Sequence, residues 1–87
     1  MTKNAIPYTG YREGYNVILY KGEYDIHQMS EKIEKCNVDR KIATDMASVV
    51  LDDGFAVIAT VDSKNYAERL LQTLREGGFQ SEVLFQE

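Results

Sequence analysis

One histidine and one cysteine set narrow limits on the chemistry this 87-residue sequence offers. Catalysis by a thiol or hydroxyl nucleophile needs a base within hydrogen-bond reach, and His27 supplies the only imidazole. Cys36 lies further along what reads as the same helix, a rise of roughly 13 Å, too far for contact within one straight helix. Cys36 is therefore expected as a small core residue and His27 as a surface residue near a helix start. Metal binding needs several Cys, His or carboxylate ligands at a workable spacing, and none is recognisable. Asp52-Asp53 reads as a solvated helix end, and Gly77-Gly78 closes a helix where a phosphate-binding loop would open one. The expectation is a protein without catalytic residues, cofactor or metal.

Glu23, Tyr24 and Asp25 form the remaining polar cluster, and carboxylates in such a loop suit a positively charged group such as an amine. Asp25 followed by Gln28 equally suits a capping pair at a helix start, with Asp25 satisfying backbone donors.

The elements that must position these residues follow from hydrophobic periodicity. Residues 1–14 carry Pro7, Gly10 and Gly14 without sustained pattern and read as a flexible N-terminal extension. Tyr15 to Tyr20 alternates as a strand, with Tyr15, Val17 and Leu19 on one face and Ile18 and Tyr20 on the other. Ile26, Met29, Ile33 and Cys36 form the buried stripe of a first helix. Asn37 or Asp39 caps a second helix running to about Leu51, with Ile42, Met46, Val49 and Val50 facing inward and Gly54 ending it. Phe55 to Val61 is an apolar run of strand length, expected to lie centrally. Asp62 or Ser63 caps a third helix with Ala67, Leu70, Leu71 and Leu74 inward, and Gln80 to Phe85 closes the chain as a strand. The fold class is α+β: a small βααβαβ sandwich, a three-stranded sheet with three helices packed on one face, forming a single domain over residues 15–87. The third helix should return the last strand parallel to, or beside, the second. The uncovered face and edge of so small a sheet are natural docking surfaces.

Composition narrows the function classes. Ten Lys and Arg against fourteen Asp and Glu give a charge of -4, and no basic patch forms that would neutralise phosphates, so nucleic acid is not an expected partner. No apolar run approaches the ~20 residues that span a bilayer, and no apolar N-terminal run suggests a signal peptide. A single cysteine permits no internal disulfide. A cytoplasmic monomer that binds proteins is the expectation.

The residues Tyr15-Asn16-Val17-Ile18-Leu19-Tyr20, the loop holding Glu23-Tyr24, the helix pair, and Tyr66-Ala67-Glu68 in the third helix resemble ClpS, the adaptor of Clp-family ATP-dependent proteases. The resemblance covers about residues 15 to 87. The C-terminal domain of the bacterial ribosomal stalk protein, which shares that fold, is similar through Ser63-Lys64, Ala67-Glu68, Glu76-Gly77 and Val83. What the ClpS resemblance implies is a module that holds a protein's N-terminal residue and passes the substrate to an AAA+ unfoldase. It implies a substrate site at Glu23, Tyr24, Asp25, Ile26, Met29, Val50 and Leu51, and contact with the unfoldase N-domain around Asn65 and Glu68. The sequence departs from the family where the amine is held. The family's Asn-Asp pair is replaced by Lys21 and Gly22, and its pocket histidine by Leu51, or by Val50 if the alignment slips by one. A lysine repels an ammonium group. The expectation is thus an adaptor or modulator divergent in N-terminal-residue recognition. A ribosomal-stalk-like interaction module and a decoy inhibitor of the unfoldase are the alternatives.

Overall fold

The structure is a computed structural model and describes residues 10–87. Its elements run β1 (Gly14–Tyr20), α1 (Ile26–Glu34), α2 (Arg40–Asp53), β2 (Phe55–Val61), α3 (Lys64–Glu76) and β3 (Ser81–Gln86). This is the expected βααβαβ order in an α+β fold. Most of the flexible extension assigned to residues 1–14 lies outside the described residues. Within them, the backbone of Arg12 is held by the side chain of Asn16, and β1 already begins at Gly14.

The sheet is antiparallel throughout, in the order β2-β1-β3. β2 and β3 are consequently parallel to each other, as a helical crossover requires, but they are not neighbours, because β1 lies between them. The central strand is therefore β1, and the apolar run of β2 is an edge. β2 can be so apolar because a bulge interrupts its pairing: Val17 faces Ala59 and Ile18 faces Val57, leaving Ile58 as the extra residue. Ile58 is buried and Ala59 half-buried in the main core, so two consecutive residues point to the helix side.

Val17 and Leu19 of β1, Met29 and Ile33 of α1, Met46 and Val50 of α2 and Leu70 and Leu74 of α3 form that core. The stripe of α2 is rotated from the one expected. Ala43, Met46, Ala47 and Val50 face inward, while Ile42 is 41% exposed. Small residues at 43 and 47 let α2 approach its neighbours closely, and the i, i+3, i+4, i+7 spacing is satisfied by alanines where bulk alone pointed to Ile42. α1 also stops short: it ends at Glu34, and Cys36 is buried from the following turn, where Asn37 takes a φ of 65°. Asn37 donates from Nδ2 to the Tyr66 hydroxyl at 2.9 Å, fastening the helical hairpin to α3.

The sheet face away from the helices is not an open apolar surface. Ile18 and Val57 there are buried, flanked by the rings of Tyr20 and Phe55 at 6.5 Å. Asn16, on the same face, is wholly buried and fully used. Its Oδ1 accepts from Arg12 N and from the Thr60 hydroxyl, and its Nδ2 donates to the carbonyls of Arg12 and Leu84. A buried amide must find such partners, and this one binds all three strands and the entering chain together.

Candidate functional site

The β1–α1 loop and the end of α2 meet at one corner of the domain. Gly54 ends α2 in the left-handed region with φ 92°, where a side chain is strained, and returns its N–H to the Val50 carbonyl at 2.9 Å. The Gly54 carbonyl then accepts from Lys21 N at 2.9 Å, which ties the loop to the turn.

Tyr24 organises the loop. Its hydroxyl donates to the Tyr20 carbonyl at 2.5 Å, and its ring meets Phe79 edge-on with centroids 4.2 Å apart. Partial burial pushes its phenol above the ordinary value. Gly22 is required by this packing, since a Cβ there would lie 2.6 Å from the Tyr24 ring. Tyr24 lying across the backbone thus favours a residue without a side chain at position 22.

Asp25 forms the capping box with Gln28. The Gln28 N–H donates to Asp25 Oδ1 at 2.9 Å, and the Asp25 N–H donates to Gln28 Oε1 at 2.9 Å. Its carboxylate is accordingly engaged at the start of α1, whereas Glu23 stands exposed beside it.

The apolar residues of the expected substrate site belong to the core or its margin. Met29 and Val50 are 0% exposed, while Tyr24, Ile26 and Leu51 are half-buried against the same core. Glu23 and Asp25 are exposed, so the polar and apolar members of the expected site differ in accessibility. The expected partner-binding residues lie on a different element. Asn65 and Glu68 are exposed on α3, one turn apart, on the helix face that Arg69 and Gln72 share. Ser63 starts that helix by accepting from Tyr66 N at 3.2 Å.

His27 is exposed and Cys36 buried, with the thiol pushed up by burial and partly drawn down by Lys32. Nothing in this arrangement activates a sulfur nucleophile.

Phe79 is the residue at this corner that reading the pattern missed. It lies between α3 and β3, in a stretch that periodicity leaves as loop, yet it is buried in the core. A local signal did exist. Gly78 takes φ +84°, its N–H donates to the Arg75 carbonyl, and the Phe79 N–H donates to the Leu74 carbonyl at 3.1 Å. These bonds make a Schellman ending, in which the residue after the left-handed glycine packs back on the helix. An aromatic directly after Gly-Gly is that residue.

No protein-family model matches this sequence, and no curated protein matches it either.

Proposed function

We propose that this chain is a non-enzymatic adaptor or modulator of regulated proteolysis, acting in the cytoplasm on a Clp-family AAA+ unfoldase, its substrates, or both. The observation that carries the reading is the βααβαβ order of the elements in an α+β fold, the arrangement that the ClpS resemblance implies. The exposed face of α3 at Asn65 and Glu68 is the surface offered to the unfoldase N-domain. An NMR titration of an isolated Clp unfoldase N-domain with this protein should shift resonances, and Glu68→Arg should suppress the shifts. Unchanged spectra at high micromolar protein reject the reading.

Recognition of N-terminal residues in this reading rests on the exposed Glu23. Peptides that begin with Leu, Phe, Tyr or Trp then bind, and acetylating their N-termini abolishes binding. Equal binding of both forms removes this function from the corner.

The complete burial of Met29 and Val50 and the engaged Asp25 carboxylate favour a second reading, a decoy that occupies the unfoldase without delivering a substrate. Degradation of a reporter substrate by purified Clp components separates the two. An adaptor accelerates it and a decoy slows it.

A further inference from the structure

The two edges of the sheet differ in kind. β2 carries the bulge at Ile58, which breaks the regular row of donors and acceptors that an incoming strand needs. β3 is regular over Ser81–Gln86, has no proline or lysine, and carries Glu82 as its one charged side chain. Leu84 and Phe85 on it are 40% and 59% exposed, on opposite faces.

The register decides which backbone groups this edge presents. Tyr20 N donates to the Gln80 carbonyl, so Tyr20 and Gln80 are a hydrogen-bonded pair of the ladder, and by alternation so are Ile18–Glu82, Asn16–Leu84 and Gly14–Gln86. The backbone groups of Ser81, Val83 and Phe85 therefore point outward. Arg75 already donates to the Ser81 carbonyl at 3.1 Å, which closes that end. Val83 and Phe85 retain outward N–H and C=O groups that no described residue meets.

We propose that this edge pairs with the β3 of a second copy, antiparallel about a two-fold axis at Leu84. Only registers that set odd-numbered residues opposite odd-numbered ones align the outward groups. The Leu84-centred register sets Val83 opposite Phe85 of the second copy and the reverse, so each outward N–H meets an outward C=O. It joins Leu84 to its own symmetry mate and sets Glu82 opposite Gln86, avoiding the carboxylate clash that would follow from centring on Glu82. A register centred on Val83 instead brings Ser81 opposite Phe85, where Arg75 already occupies the carbonyl. The result is an isologous dimer with a continuous six-stranded sheet, in place of the monomer expected from composition.

One strand per protomer makes an interface at the small end for protein pairs, so association is best read at about 0.5 mM protein by sedimentation equilibrium. The mass should climb toward twice the 9.9 kDa protomer. Phe85→Pro removes an outward N–H and no bond to β1, a change that edge strands accept, and should return the mass to one protomer. Leu84→Lys sets two ammonium groups against each other on the axis and should do the same should the proline variant fail to fold. Leu84→Cys should oxidise readily to a linked dimer, because facing residues outside the hydrogen-bonded pairs lie about 4.5 Å apart at Cα, within disulfide reach. Glu82→Cys should not, since its symmetry mate would be roughly 13 Å away along the strand. The inference is overturned if the wild-type mass stays at one protomer, if the dimer survives both Phe85→Pro and Leu84→Lys, or if the two cysteine variants cross-link equally.

Discussion

Tyr20 of β1 and Glu82 of β3 are diagonal neighbours on one face of the sheet, with the tyrosine hydroxyl donating to Glu82 Oε1. That hydrogen bond, then burial and the carboxylate's charge, raise the Tyr20 phenol from 10.0 to about 12. The consequence for stability has a definite sign. Below pH 10.0 both folded and unfolded chains keep the proton, and the contribution is whole. As pH rises from 10.0 toward about 12, the unfolded chain releases its proton first, and the contribution is lost. Wild type should therefore lose more stability than Tyr20→Phe over that interval, measured by thermal melts at stepped pH. Parallel decline of the two proteins would show that the pair contributes nothing. Asn16 shows a different residue-scale effect: polar in composition but wholly buried, it is held because every one of its bonds ends on a strand or on the entering chain.

At the scale of elements, α2 shows how a stripe is chosen. Counting bulk places Ile42 inside, but the helix turns Ala43 and Ala47 to the core and leaves Ile42 41% exposed. Ile42→Ala should then cost no more than about 0.5 kcal/mol, as surface substitutions usually do. Ile33→Ala, at a site with 0% exposure on α1, should cost ~2–5 kcal/mol from lost burial and the cavity left behind. Urea denaturation of the two variants checks both. A cost above about 2 kcal/mol for Ile42→Ala would mean that this side chain is covered in solution. The helix ends were more legible than the stripe. The Asp25/Gln28 box, Ser63 and Gly54 act through the first turn or the last, so their chemistry can be read from a few neighbouring residues.

At the scale of the whole molecule, Cys36 reports on the core. It is 3% exposed and its thiol is pushed up by burial, so at neutral pH an alkylating reagent reaches it only when the domain opens. Its labelling rate should rise with urea in step with the loss of helical circular dichroism. Rapid labelling without denaturant would show that the turn after α1 opens by itself. Among the described residues no helix is long and apolar enough to cross a membrane, and the exposed large apolar side chains are Tyr11, Ile42, Leu84 and Phe85.

The sequence by itself determined the order of the six elements, the capping pair that starts α1, the left-handed glycine that ends α2 and the division of β1 and β3 residues between two faces, while the α3 cap stayed open between Asp62 and Ser63 until the structure chose Ser63. Each of these depends on periodicity or on interactions within a few residues. Only the tertiary structure decided that β1 is central and β2 an edge, because pairing partners far apart in sequence leave no local trace. It likewise decided that Met29 and Val50 are wholly buried while Glu23 and Asp25 are exposed, and that Gly22 is needed where the Tyr24 ring crosses the backbone. An apolar residue reads the same whether it lines a pocket or fills one; the difference lies in what packs against it, and that is settled only when distant segments meet.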